Sequence, residues 1–152
     1  MTNLPVQSIS EIAFRPYGQV IFPCDDGKAF DMQDAQLHLE GIPRFYIMRL
    51  AKNAPQFRRL ARHRQCTQCL GSVGGQEWFM AVAAPSDHLE ISQIEVFRIA
   101  GNCFIKLERG TWHAGPMFQQ EAIDFYNLEL HDTNINDYEV YELDKLYKLD
   151  LS

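Results

Sequence analysis

Two histidines stand in the segments of this sequence that are best suited to proton transfer. His63 lies in LARHRQCTQC and His113 lies in ERGTWHAGP, each beside the end of a strand-like run. A neutral imidazole exchanges protons readily near pH 7, which suits it to act as a general base. Since most histidines in folded proteins are structural, the residues around these two decide whether a functional interpretation holds.

Arginines are concentrated near both histidines in a chain that is otherwise acidic. The segment FRRLARHR holds Arg58, Arg59, Arg62 and Arg64, and Arg109 lies close to the second histidine. One interpretation is a solvated strand face. The other is a local positive field that receives a carboxylate, since the planar guanidinium binds carboxylates through two parallel hydrogen bonds.

A C-x-x-C pair, Cys66 and Cys69, lies between the two histidine segments. A zinc site of that type needs a second pair of ligands, which the sequence lacks, and a thioredoxin-like site needs a helix after a strand. Residues three apart in a strand face opposite sides, so the two thiols are expected to diverge. We therefore interpret them as structural cysteines in a reducing compartment.

Length and charge limit the possible classes of protein. The chain has 152 residues, which predicts a single domain over 1–152, and its 46% hydrophobic content excludes disorder. Its net charge of −6 argues against nucleic acid or an anionic membrane as a partner. The opening MTNLPVQSIS lacks the features of a signal peptide, and no apolar run is long enough to span a membrane. A cytoplasmic protein is expected.

Short strands separated by turn residues must position the histidines. The segment SISEIAF predicts a short helix capped by Ser8 and Glu11, and the tail YELDKLYKLDLS fits either a helical turn or an extended strip. Many short strands with regular turns indicate an antiparallel sandwich or barrel with one or two short helices. The strands are expected at residues 19–22, 44–50, 57–63, 66–70, 77–83, 94–99, 102–107, 116–118, 122–130 and 138–143.

Both histidine segments resemble the two motifs of the cupin family. The first motif corresponds to residues 61–75, ARHRQCTQCLGSVGG, and the second to residues 110–113, GTWH. The resemblance implies a double-stranded β-helix, an antiparallel jelly-roll barrel. In ordinary cupins three histidines and an acid hold a divalent metal inside this barrel. Here Ala61 takes the place of the first histidine and Gln68 takes the place of the acid.

A narrower resemblance covers nearly the whole chain. The segments FRPYGQVI, ARHRQCTQCLGSVGGQEWFMAVAAP, ERGTWHAGP and AIDFYNLEL are similar to those of the ureidoglycolate lyase family. The resemblance implies a homodimeric carbon–nitrogen lyase that cleaves ureidoglycolate to glyoxylate and urea in allantoin degradation, part of purine metabolism. Two departures stand out. The family's acid before its motif histidine is Ala61 here, and Ala114 and Gly115 replace a second histidine with one residue inserted.

The resemblance also implies roles for individual residues. His63 and His113 line the barrel interior as catalytic residues, where one serves as the base or both bind a metal. Gln68 holds the substrate, and Arg62 or Arg109 meets its carboxylate. Trp112 joins the substrate-binding residues as part of the second motif. If a metal binds, its ligands are His63, Gln68 and His113, and zinc, manganese and nickel are the candidates; no other cofactor is implied.

One geometric condition accompanies these roles. His63 and Gln68 are five residues apart, so a regular strand places their side chains on opposite faces. Both face the barrel interior only if a bulge or bend lies between them.

Two other functions are compatible with these residues. The loss of polar groups at Ala61 and Ala114 favours a cupin that has lost catalysis and binds a small carboxylate as a sensor or carrier. A cupin isomerase or sugar-binding protein is the third alternative.

Overall fold

A computed structural model describes residues 2–152 and shows a chain built mainly from β-strands. Two helices are a single turn long, α1 (Glu11–Phe14) and α2 (Thr133–Asn136), and Ile91–Gln93 forms a 3₁₀ turn. The strands are β1 (Thr2–Leu4), β2 (Gln7–Ser8), β3 (Gly18–Ile21), β4 (Pro43–Ala51), β5 (Gln56–Arg62), β6 (Gln68–Ser72), β7 (Trp78–Ala83), β8 (Glu95–Ile99), β9 (Phe104–Leu107), β10 (Trp112–Met117), β11 (Ala122–Leu130) and β12 (Glu139–Leu149). No helix in this part of the chain is long and apolar enough to cross a membrane.

The strands form two curled sheets that together make a half-barrel. The larger sheet has the order β1-β12-β5-β10-β7-β8-β2, and the smaller one has the order β3-β9-β6-β11-β4. Pairing is antiparallel except between β1 and β12 and between β2 and β8. The prediction of a mainly antiparallel β fold with one or two short helices is confirmed.

Strand β7, an interior strand of the larger sheet, shows how the sheets acquire two hydrophobic cores. Its sequence WFMAVA is apolar throughout, and side chains in a strand alternate between faces. Trp78, Met80 and Val82 enter a cluster between the two sheets, while Phe79 and Ala81 enter a second cluster on the other face of the larger sheet. Strand β7 is therefore buried on both faces and contributes side chains to both clusters.

The first cluster borders the region of the predicted site. Trp78 and Phe125, one from each sheet, pack edge to face with ring centroids 5.1 Å apart. Each fully buried side chain of this size contributes about 1.5–3 kcal/mol relative to exposure. Leu70 belongs to this cluster, and Met48 and Leu50 pack against it. These three side chains form the apolar floor of the cavity described below.

Several predicted elements differ in detail from the observed ones. Ser10, not Ser8, caps α1, since its Oγ accepts the Ala13 N–H at 3.1 Å, whereas Ser8 belongs to β2. The tail is extended and forms β12 rather than a helical turn. His113 lies inside strand β10, which starts at Trp112 directly after the turn at Gly110, whereas the sequence predicted this strand only at residues 116–118.

Candidate active site

A cavity of about 380 Å³ between the two sheets contains both predicted histidines. A cavity of this size suits a small molecule. Strands β4 and β6 supply one wall and β5 and β10 the other. The polar lining side chains include His63, His113, Gln68 and the two arginines Arg58 and Arg59.

The two imidazoles lie side by side and share the same tautomer. Their ring centroids are 5.2 Å apart. His63 donates from Nδ1 to the Asp137 carbonyl at 2.7 Å, and His113 donates from Nδ1 to the Thr111 carbonyl at 3.2 Å. Because a carbonyl only accepts hydrogen bonds, Nδ1 carries the proton in both neutral rings. Each Nε2 therefore keeps a lone pair that can accept a proton or bind a metal.

His113 is held in its neutral form. Burial and the neighbouring His63 lower its pKa to about 4, against the opposing effect of the hydrogen bond to the Thr111 carbonyl. Its position follows from register, since His113 pairs directly with Ala61 across β5 and β10. No acid stands at that opposite position to support a positive charge on the ring.

The low pKa of His113 predicts a loss of stability in acid. In the unfolded chain an imidazole takes up a proton near pH 6.5, whereas in the folded protein His113 stays neutral to about pH 4. As pH falls through this window, the unfolded state binds the proton first, and the free energy of unfolding drops by about 2 kcal/mol between pH 7 and pH 4.5. Urea unfolding of chelator-treated protein at pH 7 and pH 4.5 measures the difference.

The comparison needs two variants. His113→Gln removes the titrating ring, so its free energy of unfolding should fall less between the two pH values than that of the wild type. His88→Gln removes an exposed histidine and should behave as the wild type. An equal acid loss in wild type and His113→Gln would contradict the assignment.

The two histidine segments are tied together by backbone contacts. The Gly110 N–H donates to the His63 carbonyl at 2.6 Å. Gly110 has a φ of +83°, and a Cβ there would lie 3.3 Å from Pro85, so a side chain is disfavoured on both counts. The glycine thus brings the turn before β10 against the end of β5.

Asp137 organises the segment that carries His63, and sequence reasoning did not find it. Its carboxylate accepts the N–H groups of Arg64 at 2.8 Å and Gln65 at 2.7 Å, while its carbonyl accepts from His63. It is buried. In the sequence it belongs to DTNIND, which has the composition of an ordinary turn, and it stands more than 70 residues from its partners.

The chain changes sheets between His63 and Gln68, so both side chains line the same cavity. Strand β5 of the larger sheet ends at Arg62, and β6 of the smaller sheet begins at Gln68. Between them Cys66 forms an isolated bridge with Leu39. The bend that the roles of His63 and Gln68 require is therefore present as a crossing between sheets rather than as a bulge.

Three predicted substrate-binding residues lie away from this cavity. Arg62 is buried beneath the Glu139 carboxylate at 3.1 Å and stacks over the Trp112 ring, with its guanidinium 4.2 Å from the centroid. Trp112 donates to the Ser86 carbonyl at 3.0 Å within the second hydrophobic cluster. Arg109 donates to Nε2 of His38 at 3.1 Å on the surface. The structure does not bring these side chains to the imidazoles.

Arg59, by contrast, lies on the cavity side of β5. Arg59, Ala61 and His63 are alternate residues along the chain, and all three line the cavity. The Arg59 side chain is 68% exposed, and its Nε lies 3.6 Å from the Glu142 carboxylate. A cation is thus available near the histidines, at a position that strand alternation predicts.

The inserted residue near His113 is accommodated as a strand irregularity. Ala114 pairs with Ala81 and Met117 with Phe79, so β10 uses one more residue than β7 between these pairs. Gly115 falls in this interval with a φ of +124°. A side chain there would crowd the Phe79 carbonyl, since a Cβ would lie 3.0 Å from its oxygen.

Cys66 and Cys69 are both free thiols, and they occupy different environments. Cys66 is buried and its Sγ lies 3.5 Å from Oγ1 of Thr133. Burial raises the pKa of the Cys69 thiol to about 11, which keeps it protonated. A protonated thiol is a poor nucleophile, so neither the geometry nor the chemistry suits a redox pair.

The residues present do not fit an ordinary cupin metal site. Among residues 2–152, no three His, Cys, Asp or Glu side chains converge to hold a metal ion. His63 and His113 offer two Nε2 atoms, and the remaining lining donor of the predicted set, Gln68, is a neutral amide. Zinc sites use histidine, cysteine or carboxylate ligands, and a neutral amide is a weak substitute.

Comparison with solved structures supports the fold class. The chain is similar to a dTDP sugar isomerase from Desulfovibrio desulfuricans G20, with a TM-score of 0.50 over 84% of this chain and 83% of that one. Their sequences are 10% identical, so the similarity concerns the fold alone. Together with the curled antiparallel sheets, it defines a cupin-like half-barrel.

Sequence comparison gives the family within that class. The sequence pattern of the ureidoglycolate lyase family matches residues 1–150, and the chain belongs to this family. It is 25% identical over 126 residues to the ureidoglycolate lyase of Azotobacter vinelandii (strain DJ / ATCC BAA-1303), covering 74% of this chain and 76% of that protein. The protein is therefore a lyase-type enzyme with a ureidoglycolate lyase-like function.

Proposed function

We propose that this protein cleaves ureidoglycolate to glyoxylate and urea in the cavity between its sheets. The observation that carries the proposal is the pair of imidazoles in one cavity, each with Nδ1 bound to a carbonyl and an unprotonated Nε2. The substrate carries a hydroxyl and a ureido nitrogen on the same carbon. Cleavage moves the hydroxyl proton to that nitrogen while the carbon–nitrogen bond breaks, so a group that accepts and returns one proton is sufficient.

His63 is the better candidate for that proton carrier. When it accepts a proton at Nε2, its Nδ1 keeps the short hydrogen bond to the Asp137 carbonyl, so the ring stays in position. His113 holds a proton poorly, because burial and His63 lower its pKa to about 4. His113 then serves as a neutral acceptor that orients a substrate N–H or O–H group.

Arg59 is the proposed partner of the substrate carboxylate, with Arg58 beside it at the cavity wall. Arg62 and Arg109 were expected in this role, but their guanidinium groups bind Glu139 and His38 outside the cavity. A carboxylate held at Arg59 would leave the hydroxyl-bearing carbon directed at the imidazoles, since Ala61 between them has no polar group.

The direct test is glyoxylate release from racemic ureidoglycolate above the spontaneous rate. We propose catalysis without a metal, so protein purified without chelator should contain little zinc, manganese or nickel, and chelator treatment should leave the rate unchanged. Near-stoichiometric metal, together with loss of activity on chelation, would contradict metal-free catalysis. It would support a mechanism in which His63, His113 and Gln68 hold the ion. Tight glyoxylate binding without turnover would support the small-carboxylate binder instead.

The setting of this reaction is also part of the proposal. We place the enzyme in the cytoplasm and its reaction in allantoin degradation within purine metabolism. The free thiols of Cys24, Cys66, Cys69 and Cys103 suit a reducing compartment.

We further propose that two copies of the chain pair through the outer face of the smaller sheet. Phe45 and Ile47 of β4 are 68% and 57% exposed, and Phe45 stacks on Tyr126 of β11 with ring centroids 6.1 Å apart. Beside them lies an apolar pocket of about 310 Å³. A contiguous apolar patch of this kind is typical of a protein interface.

The dimer has a simple test by sedimentation equilibrium. The wild type should sediment with twice the mass of one chain, and Ile47→Asp should raise the dimer dissociation constant at least about tenfold, because it buries an unpaired charge. Ile12→Asp is the matched control, since Ile12 is 77% exposed on α1, outside the patch. A monomeric wild type, or an equal effect of both substitutions, would contradict this interface.

A further inference from the structure

Gln68 presents one buried polar atom, its side-chain oxygen, to the cavity. The residue is 8% exposed, and its side chain lines the cavity beside the two imidazoles. Among residues 2–152 its Oε1 has no hydrogen-bond partner. A buried carbonyl oxygen left without a donor costs free energy, so an atom of this kind points to a ligand that completes it.

The other end of the Gln68 amide is held by a chain of polar side chains in the smaller sheet. Gln68 Nε2 donates to Asn127 Oδ1 at 3.0 Å. Asn127 Nδ2 in turn donates to Glu129 Oε1 at 3.1 Å and to the Tyr46 hydroxyl at 3.2 Å. Asn127 and Glu129 are both buried and face the barrel interior, since they are two residues apart on β11.

The carboxylate at the end of the chain sets the direction of every bond in it. Glu129 Oε1 accepts from Asn127 Nδ2, so Asn127 turns its NH₂ toward Glu129 and its oxygen toward Gln68. Gln68 must then turn its own NH₂ toward Asn127, which leaves its oxygen facing the cavity. The Tyr46 hydroxyl agrees with this direction, because it accepts from Asn127 and is also hydrogen-bonded to Glu129.

Glu129 is a buried carboxyl group whose neighbours offset part of the cost of its burial. Burial raises the pKa of Glu129, while His63, the hydrogen bonds from Asn127 and Tyr46, and Arg44, its register partner on β4, oppose that rise. The Arg44 guanidinium lies 3.7 Å from the Tyr46 ring centroid, which fixes it on the same side of the sheet. This surrounding explains how a carboxyl group is tolerated at a buried position.

We propose that Glu129, acting through Asn127, is a positioning residue that fixes Gln68 as a hydrogen-bond acceptor in the cavity, and that this acceptor selects ligands carrying an N–H donor. The inference deepens the proposed function, on which it rests, because the ureido group supplies such donors. A carboxylate has no donor and is repelled by Gln68 Oε1. The substrate therefore binds with its ureido end toward Gln68 and its carboxylate toward Arg59.

Two non-reacting analogues test the acceptor without relying on turnover. Hydantoate carries the ureido group and carboxylate of the substrate but lacks its hydroxyl. Levulinate is closely matched to it in size, with carbon in place of both nitrogens. Calorimetric titration of the wild type should show that hydantoate binds at least about tenfold more tightly than levulinate. This is the effect expected when one buried acceptor receives a hydrogen bond from one ligand and none from the other. Equal affinities, or no binding of hydantoate, would overturn the acceptor role.

Glu129→Gln then tests the positioning role. The amide at 129 can donate to Asn127, so the chain loses its fixed direction, and the preference for hydantoate should fall to about threefold or less. General loosening of the site would weaken both analogues alike and leave their ratio unchanged. Glu121→Gln, which removes an exposed carboxylate next to the same strand, should keep the wild-type ratio.

A second substitution guards against misfolding of the first variant. Gln68→Met removes the acceptor itself with little change in size, and it should also abolish the preference. Thermal unfolding confirms that each variant is folded before titration. A folded Glu129→Gln with the full wild-type preference would overturn the role of Glu129, and the same result for Gln68→Met would overturn that of Gln68. Both outcomes are independent of glyoxylate release, so they are distinct from failure of the lyase assignment.

Discussion

Replacing His63 by glutamine is expected to lower kcat for ureidoglycolate cleavage by a factor of about 10²–10⁴, the usual contribution of a positioned general base. Glutamine keeps much of the size and polarity of the ring, but its amide cannot take up the hydroxyl proton and return it to the leaving nitrogen. Because substrate binding relies on other groups, KM should change far less than kcat. Initial rates of glyoxylate release at saturating substrate measure the effect.

Two further variants make the His63 result specific. His88→Gln removes an exposed histidine outside the cavity and should leave kcat unchanged. His113→Gln should reduce kcat less than His63→Gln does, because His113 orients the substrate and does not carry the proton. If His113→Gln has the larger effect, the two roles are exchanged. If neither substitution lowers kcat, the site is elsewhere, although family membership is unaffected.

The residues best predicted from the sequence were those that lie in a recognisable motif and beside the end of a predicted strand. The resemblance of the segments around His63 and His113 to the two cupin motifs implied that both side chains line the barrel interior, and the cavity between the sheets contains both. The bend required between His63 and Gln68 was also foreseeable, since strand periodicity alone forbids a regular strand there. The alternation of side chains along a strand was thus more informative about the site than the amino-acid composition.

The same periodicity argues against one of the predicted substrate-binding residues. Neighbouring residues in a strand face opposite sides, so Arg62 faces away from the cavity if His63 faces into it. The structure places Arg62 against Trp112 and Glu139 on that opposite side. Applying the alternation to the whole arginine cluster would have singled out Arg59, two residues before Ala61.

Other parts of the site depend on contacts that no local pattern records. Asp137 meets the His63 segment across more than 70 residues of chain, and Asn127 meets Gln68 across 59. Only the pairing of β11 with β6 and the course of the chain before β12 bring them together. A weak signal was present in AIDFYNLEL, where polar residues take the inward positions after two apolar ones.

Replacing Arg59 by glutamine is expected to raise KM for ureidoglycolate about 10- to 100-fold with little change in kcat. A charge-assisted hydrogen bond to a carboxylate contributes about 1.5–3 kcal/mol, and this one would be present equally in the bound substrate and the transition state. Within residues 2–152, the Arg59 guanidinium is paired only with the exposed Glu142 carboxylate, at 3.6 Å. Surface pairs of this kind are weak, so exchanging Glu142 for the substrate costs little.

The comparison with Arg109→Gln decides between the two possible carboxylate sites. Arg109 belongs to the second motif but lies outside the cavity, bound to His38, so its loss should leave KM nearly unchanged. Arg15→Gln, which replaces an exposed arginine at the end of α1, controls for the loss of one positive charge.

A rise in KM for Arg109→Gln and none for Arg59→Gln would mean that the substrate approaches from the opposite side of β5. The space that the two histidines line together with Glu108 and Thr111 is too small to admit even a water molecule. For this reason we expect the effect at Arg59.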